Sequence, residues 1–346
     1  MRRRRIHLIN PMEQVGGSEY RTLDLYKVLK GSADVTIWSE CDPDPSLAAQ
    51  APIRRIRQHL GQFPVGGTLV FVGFYFHVGR WAQLSLAGRR IIVCNTLPED
   101  LRNYRAMRQR ISCRGLRSVE VAYSGPEIAK AIGEPGRILP SPIDLDRFRP
   151  RTDDQRSGGF RVGRVSRDHL EKHHEGAPGL YRRLISAGCA VRIMGGTVLR
   201  KWIPNPPPGL ELLPTGAEDC ATFLRDLDCF LYRTNDHWFE TFGRVVFEAM
   251  ATGLPVVAHR RGGYGNFLND GEDILLFDTD DEAFELVMRL RADPHLRERL
   301  GRNARARVED LYSQASLAGT IRYFLEGRVD AGRTDGAESF CRPPEG

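Results

Sequence analysis

Short apolar runs alternate with segments of helical spacing along the first part of the chain. The apolar runs lie at residues 6–9, 35–38, 69–72, 90–94 and 119–122. Segments with helical spacing lie between them, at residues 18–29, 100–110 and 125–132. Runs this short have the length of a buried strand, and their alternation with helices predicts a parallel sheet covered by helices.

A second alternation of the same kind follows. Apolar runs lie at residues 160–165, 191–194, 210–213, 229–232 and 274–277, and helices are predicted at residues 177–187, 218–227, 281–292, 294–308 and 316–325. The pattern predicts an α/β fold class with two Rossmann-like, doubly wound domains. Because such sheets bind ligands at the carboxyl ends of their strands, we expect the two domains to face a central cleft.

The domain boundary is predicted in the polar, proline-containing segment of residues 139–156. We assign residues 1–150 to an N-terminal domain and residues 151–326 to a C-terminal domain. Residues 327–346 are rich in glycine, arginine, proline and acidic residues. We expect this tail to be disordered, because it has too few apolar residues to pack.

The most informative segment covers residues 239–269, which are predicted to form a loop, a helix, a strand, a glycine turn and a further helix. Residues 245–251 are apolar on nearly every side, so their helix is expected to be buried, with Glu248 in its middle. A buried carboxylate needs a cation, a set of donors or ligand hydroxyl groups. A ligand site and a plain salt bridge to Glu248 both remain open.

The start of this helix is a candidate anion site. Gly243 allows the chain to enter the helix closely, and the amides of residues 242–245 have no acceptor within the helix, so they can bind phosphate. Glu240, on the preceding loop, can accept hydrogen bonds from neighbouring hydroxyl groups. A solvated surface position is the alternative for Glu240.

Two further segments could contact phosphate. Gly16 and Gly17 follow the first strand, but their spacing does not match GxGxxG, and an ordinary turn also uses glycine. Arg164 ends a strand of the second domain and Lys172 follows it, which offers a forked donor and a point charge to a diphosphate. An ordinary basic loop is the alternative, because other basic residues crowd it: Arg167, His169, His173 and His174.

Metal and disulfide chemistry are not favoured. The seven cysteines include no CxxC pair and lie near no histidine cluster, which indicates a reducing, cytoplasmic location. Asp-x-Asp pairs occur at residues 42–44, 144–146 and 278–280, and the last is expected to cap a helix. We therefore expect no cofactor and no essential metal. No apolar run approaches the roughly 20 residues that span a bilayer.

Arginines are dense in the first part of the chain. They lie at Arg54, Arg55, Arg57, Arg102, Arg105, Arg108 and Arg110, although the net charge is only +6. Such a surface fits an anionic membrane, an anionic glycan acceptor or nucleic acid, and solvated helix faces explain it equally well. Nucleic acid is the least favoured partner, because no aromatic residues are interleaved with the arginines.

Residues 240–258, ETFGRVVFEAMATGLPVVA, resemble the E-x7-E signature of retaining GT-B glycosyltransferases, family four, also called glycosyl transferases group 1. Further matches cover about residues 6–326 and comprise Gly16-Gly17, Gly163-Arg164 with Lys172, residues 142–148 and Gly262-Gly263. The chain departs from the family at Asn95, where many members carry a histidine, and in the longer spacing between Arg164 and Lys172. The resemblance implies the GT-B fold, in which residues 1–150 would form an acceptor-binding domain and residues 151–326 a Rossmann-like domain that binds the nucleotide-sugar donor.

The resemblance also implies a role for each site residue. Glu248 would bind the donor's ribose hydroxyls, and Glu240 would hold the transferred sugar together with amides near Phe242 and Gly243. Arg164 and Lys172 would neutralise the diphosphate, and Gly16 and Gly17 would close over it. Arg244 would contact the donor, and Asn95 would replace the family histidine.

The implied activity is transfer of a sugar from a nucleotide-diphosphate-sugar to a glycan or lipid-linked acceptor, with retention of configuration. The family suggests bacterial surface polysaccharide synthesis in the cytoplasm, with peripheral contact to the inner face of the membrane left open. The alternatives are an epimerase or phosphorylase on the same fold, and a binding protein without turnover. A Rossmann oxidoreductase is disfavoured, because no strand is followed by GxGxxG and a later acidic residue.

Overall fold

The computed structural model describes residues 3–112, 118–152 and 158–327. The chain forms two compact units, one comprising Met1–Pro142 with Ser313–Gly346 and the other Ile143–Tyr312. Within the described residues, each unit contains one sheet in which all strand pairs are parallel. The predicted α/β class is confirmed.

The first unit is built on a seven-stranded sheet of order β3-β2-β1-β4-β5-β6-β7, as far as the described residues go. Its strands are β1 (Arg5–Ile9), β2 (Asp34–Ser39), β3 (Ile53–Arg55), β4 (Thr68–Val72), β5 (Arg89–Cys94), β6 (Glu120–Tyr123) and β7 (Arg137–Ile138). Its helices include α1 (Gly17–Leu29), α2 (Pro45–Ala48), α3 (Trp81–Leu84), α4 (Arg102–Ile111) and α5 (Pro126–Ile132). The central strands β4 and β5 are almost wholly buried, which explains their continuous apolar runs.

The second unit has a six-stranded sheet of order β10-β9-β8-β11-β12-β13 in the described residues. The strands are β8 (Arg161–Val165), β9 (Ala190–Met194), β10 (Leu210–Leu213), β11 (Cys229–Tyr232), β12 (Val256–His259) and β13 (Leu275–Phe277). The helices are α6 (Ala177–Ser186), α7 (Cys220–Arg225), α8 (Arg244–Ala251), α9 (Asp280–Ala292) and α10 (Pro294–Leu311). Strand order reverses at β8, so the loops after β8 and β11 flank the point where such sheets bind ligands.

The last helix, α11 (Gln314–Glu326), belongs to the first unit, although the sequence assigned it to the second domain. Tyr323 and Phe324 lie in the apolar cluster formed by β1, β4 and α1. The Arg89 guanidinium on β5 donates a hydrogen bond of 2.8 Å to the Phe324 carbonyl. The other boundary falls at residue 142 rather than 150, and residues 328–346 of the predicted tail lie outside the described residues.

The elements that the sequence did not predict are short. Strand β3 has two exposed arginines in three residues, and β7 contains only two residues, so neither has an apolar alternation. The glycine turn after β12 leads into a single 3-10 turn, Gly263–Asn266, rather than an α-helix. Within the described residues, no helix is both long and apolar enough to cross a membrane.

His7 on β1 predicts that the first unit loses stability in acid. The side chain is 4% exposed, and its Nδ1 accepts a hydrogen bond of 3.0 Å from the Trp38 indole. Burial lowers the pKa of His7 from 6.5 to about 4. Since the unfolded chain binds this proton more readily, the stabilisation is complete above pH 6.5 and is lost as the pH falls toward 4.

We expect the free energy of unfolding to fall by up to about 3 kcal/mol through His7 over this interval. Urea unfolding at a series of pH values measures this change in the free energy of unfolding. The variant His7→Gln keeps an acceptor for Trp38 but does not titrate, so its dependence on pH should be shallower. Equal slopes for the two proteins would contradict the assignment.

Candidate functional site

The start of helix α8 requires glycine. Gly243 has φ 71° and ψ 50°, a left-handed conformation that a side chain rarely adopts. A Cβ atom there would lie 2.6 Å from Cδ1 of Tyr264. Phe242 is buried and its ring stacks on Phe247 at a centroid distance of 4.5 Å, so only its main chain can serve a ligand.

A second glycine pair fixes the loop that carries Glu240. The amide of Gly263 donates a hydrogen bond of 2.7 Å to the Glu240 carbonyl, and Gly262 pairs with Glu240 in a parallel bridge. A Cβ atom on Gly263 would lie 1.9 Å from the Thr241 carbonyl oxygen, so the two loops touch main chain to main chain. The turn after β12 therefore determines where Glu240 lies.

The Glu240 carboxylate is held through one of its oxygens. Oε2 accepts hydrogen bonds from Lys172 Nζ at 2.7 Å and from the Tyr232 hydroxyl at 2.8 Å. Among the described residues, no hydrogen bond reaches Oε1. Burial alone would raise the pKa of Glu240, but Lys172, Tyr232 and the charge of Arg167 outweigh it and lower the pKa below its ordinary value. Glu240 is therefore an ionised acceptor whose second oxygen can take a ligand hydroxyl.

Lys172 lies at the end of a 3-10 turn, Leu170–Lys172, in the loop after β8. Its ammonium group pairs with Glu240 and lies 4.4 Å from the centroid of the Trp238 ring, a cation–π geometry. Its side chain is 11% exposed. The structure thus brings together two of the predicted site residues from loops that follow neighbouring strands.

His173 anchors the same loop from inside. Its Nε2 lies 2.8 Å from the Gly195 carbonyl, which can only accept, so Nε2 carries the proton. Burial, together with the charges of Arg164 and Lys172, lowers the pKa of His173 to about 3. His173 is therefore a neutral structural donor. In contrast, Arg167 and His169 are exposed, and His174 lies 3.4 Å from Asp236.

Arg164 is buried at the end of β8. Its side chain is 1% exposed, and its guanidinium donates to the main-chain carbonyls of Arg233, at 2.6 Å, and of Lys172. Its contacts in this structure are thus with main-chain groups of the loops after β8 and β11. Direct contact between Arg164 and a diphosphate stays a prediction.

Glu248 is buried on α8 and pairs with Arg244 one turn earlier, with Nε and Oε1 separated by 2.7 Å. The Cys220 thiol lies 4.0 Å from the other oxygen, Oε2. The salt bridge that the sequence left open is therefore present. Arg244, predicted to contact the donor, neutralises Glu248 in this structure.

The remaining predicted residues belong to the first unit. Gly16 precedes helix α1, and a Cβ atom on Gly17 would meet no atom within 4 Å. The Asn10 side chain holds this turn, because its amide donates to Ser18 Oγ at 2.7 Å and to the Val72 carbonyl at 2.9 Å. Asn95 follows β5 and accepts a hydrogen bond of 2.7 Å from Arg21.

The Asp-x-Asp pairs have structural partners. Thr279 caps α9 in a capping box with Glu282, and Asp280 pairs with Arg233 at 2.7 Å. Asp44 caps α2. Searching the described residues finds no group of three or more histidine, cysteine or acidic side chains placed to hold a metal ion. The expectation that the protein needs no metal stays a prediction.

Parts of the chain are similar in sequence to known glycosyltransferases. The model of a family described as glycosyl transferase-like matches residues 182–322. A GDP-mannose-dependent alpha-mannosyltransferase of Corynebacterium glutamicum is 33% identical over 123 residues, or 35% of this chain and 28% of that protein. A D-inositol 3-phosphate glycosyltransferase of Thermomonospora curvata is 43% identical over 67 residues, which are 19% of this chain and 16% of that protein. The matched segments thus span less than a third of these curated relatives.

Solved structures match almost the whole chain. HepE of Anabaena, in complex with UDP and glucose, superposes with a TM-score of 0.73 at 15% identity, over 94% of this chain and 100% of that one. WaaG, a glycosyltransferase involved in lipopolysaccharide biosynthesis, superposes with a TM-score of 0.68 at 14% identity. The match covers 93% of this chain and 100% of WaaG. The fold is that of the GT-B glycosyltransferases.

Three aromatic residues of the second unit contact the candidate site but were not predicted from the sequence. Tyr232 donates to Glu240, Trp238 covers Lys172, and Tyr264 packs edge-on against Tyr232. Tyr232 could have been found, because it is the last residue of a buried strand and its hydroxyl needs a partner there. The contacts of Trp238 and Tyr264 depend on loop conformation and leave no periodic signal.

Replacing Tyr232 with Phe should raise the pKa of Glu240, because the ionised carboxylate loses one of its two donors. An NMR titration of glutamate labelled at the side-chain carboxyl carbon measures this, and the Glu240 signal is identified by its absence in Glu240→Gln. Tyr123→Phe is the matched control, since it removes a 2.8 Å hydroxyl hydrogen bond in the first unit. An unchanged pKa in Tyr232→Phe would refute the hydrogen bond.

Proposed function

We propose that this protein transfers a sugar from a nucleotide-diphosphate-sugar to a glycan or lipid-linked acceptor, with retention of anomeric configuration. The observation that carries the proposal is the pairing of Lys172 with Glu240 at 2.7 Å, beside the glycine-initiated helix α8. A cation and helix-start amides suit a diphosphate, and an ionised carboxylate suits sugar hydroxyls. A nucleotide sugar presents both groups side by side.

Each donor group has a proposed partner. Lys172 and the first-turn amides of α8 receive the diphosphate, and Glu240 accepts a hydroxyl of the transferred sugar through Oε1. Glu248 receives the ribose hydroxyls, which requires Arg244 to share its carboxylate. The donor contacts of Gly16, Gly17 and Asn95 stay predictions drawn from the family resemblance.

The reaction needs charge stabilisation more than a nucleophile. The bond between the sugar carbon and the phosphate oxygen breaks, and its electron pair stays on the departing diphosphate. Lys172 and the α8 amides stabilise that charge without having to reorganise. The acceptor hydroxyl then bonds to the sugar carbon from the same face and gives its proton to the departing phosphate oxygen. Glu240 remains ionised throughout, consistent with its lowered pKa.

The relatives support this proposal without selecting the donor. HepE was crystallised with UDP-glucose, and the Corynebacterium relative is named for GDP-mannose, so the two names differ in both base and sugar. The role of WaaG in lipopolysaccharide biosynthesis supports a step of bacterial surface polysaccharide synthesis. We propose the cytoplasm as the place of this step. Product analysis separates the alternatives, since an epimerase needs no acceptor and a phosphorylase needs free phosphate.

Glu248→Gln should weaken nucleotide-sugar binding roughly tenfold or more, because a charged acceptor for the ribose is lost. Thermal-shift screening identifies the nucleotide sugar that stabilises the wild-type protein most, and calorimetry then compares the variants. Glu309→Gln is the matched control, because Glu309 forms the same pair with an arginine four residues earlier, Arg305, on α10. Equal affinity in Glu248→Gln and wild type would exclude the ribose role.

A second proposal concerns an anionic membrane surface. Helix α4 buries Tyr104, Met107 and Ile111 and exposes Arg105 and Arg110 on the opposite side. The neighbouring residues Leu84 and Leu86 are 56% and 80% exposed, and Gln83 joins the two segments by a 3.4 Å hydrogen bond to the Arg110 carbonyl. Exposed leucines beside arginines suit the headgroup region of an acidic bilayer.

Sedimentation with phosphatidylglycerol vesicles tests this surface. The wild-type protein should bind them, and binding should weaken as salt increases, because exposed charges are screened. Arg105→Glu with Arg110→Glu should abolish binding. The control Arg302→Glu reverses a 72% exposed arginine in the other unit and should leave binding intact. Binding that survives the double variant would rule out this surface.

A further inference from the structure

We propose that a basic pocket in the first unit binds the phosphate group of an anionic ligand. The pocket lies where the strands of the sheet begin, and this side of the sheet is called the amino edge. Its volume is about 800 Å³, and side chains of β1, α1 and the turns before β2 and β4 line it. Rossmann-like domains bind their ligands at the opposite, carboxyl edge. The pocket is therefore a separate site, and it does not depend on the proposed function.

Three cationic side chains meet at this edge because of where the elements begin and end. Arg5 is the first residue of β1 and pairs in register with Asp34, the first residue of β2. Arg3 lies two residues before Arg5 and lines the same pocket, as expected for an extended chain in which alternate side chains share a face. Lys30 caps the carboxyl end of α1 and brings the third cation.

The charge of the pocket is unbalanced. Its three cations share one carboxylate, that of Asp34, which lies 4.0 Å from Arg5 Nε. As far as the described residues go, Arg3 and Lys30 form no salt bridge. Three cations and one carboxylate leave two positive charges in excess. A phosphate group suits this excess, because it accepts charge-assisted hydrogen bonds from several donors at once.

The wall that carries these cations is ordered by contacts within the first unit. Arg5 Nη1 donates a hydrogen bond of 3.1 Å to the Val65 carbonyl, which leaves other N–H groups of the guanidinium for a ligand. Lys30 Nζ lies 5.7 Å from the centroid of the Tyr26 ring. A Cβ atom on Gly67 would lie 2.4 Å from the Arg5 carbonyl oxygen, so the turn before β4 touches the main chain of β1. A ligand would therefore meet cations that already have fixed attachments.

Phosphate could reach this pocket from two sources, a soluble phosphate compound or a phospholipid headgroup. Both present phosphate oxygens to the same three cations. The apolar side chain of Leu86 is 80% exposed in the turn before β5, and the Gly88 amide ties this turn to the Gly67 carbonyl at 3.1 Å. A lipid whose phosphate occupies the pocket would thus have an apolar side chain near it.

An NMR titration of the deuterated protein with inorganic phosphate tests the pocket. The backbone amide signals of residues 33, 34 and 67 should shift with saturation. Arg3→Glu with Lys30→Glu should raise the Kd measured from these signals about tenfold or more, because two of the three charged donors are lost. Both side chains are exposed, so the fold should be retained.

The matched control is Arg54→Glu with Lys130→Glu. These residues are also an exposed arginine and an exposed lysine of the first unit, and neither lines the pocket. The control makes the same change in net charge and should leave the Kd for phosphate unchanged. Absence of shifts at the pocket in the wild-type protein, or an equal Kd in the Arg3 and Lys30 variant and the control, would overturn the proposal.

Sedimentation with phosphatidylglycerol vesicles separates the two sources. For a lipid headgroup, the Arg3 and Lys30 variant should bind the vesicles more weakly than the control variant does. For a soluble compound, the two variants should bind vesicles equally, while only the pocket variant loses affinity for inorganic phosphate. Either result supports a phosphate site. Both titrations read residues of the first unit, so they hold whether or not the protein transfers a sugar.

Discussion

The ion pair between Lys172 and Glu240 is the interaction on which the candidate site depends. It joins loops after β8 and β11, neighbouring strands at the point where strand order reverses. The Tyr232 hydroxyl donates a hydrogen bond to the carboxylate, and the Trp238 ring lies against the ammonium group. A cation and a carboxylate fixed in contact, with one carboxylate oxygen left over, suit the proposed ligand, which carries phosphate and hydroxyl groups together.

Local sequence features predicted the part of the site that depends on a single element. Helix α8, its glycine start and the burial of Glu248 follow from an apolar helix with one carboxylate in its middle, and the structure contains all three. Lys172, the partner of Glu240, is 68 residues away in the chain. The positions of both residues after strands predicted that they lie near each other, but the sequence could not show that their side chains are in contact. Which side of its strand Arg164 faces likewise depends on non-local packing.

The same limit applies to the fold. Both parallel sheets follow from apolar runs that are visible in the sequence, whereas the assignment of α11 to the first unit does not. That helix follows the second domain directly in the chain, yet Tyr323 and Phe324 fill a cluster built from β1, β4 and α1. Apolar periodicity predicts that a helix needs a partner surface, but it does not identify which sheet provides that surface.

A crystal structure with the nucleotide sugar that stabilises the protein most would test the central claim directly. The account predicts that Lys172 Nζ contacts a diphosphate oxygen and that Glu240 Oε1 accepts a hydrogen bond from a hydroxyl of the sugar. A donor bound with its diphosphate away from Lys172 and its sugar away from Glu240 would contradict the account.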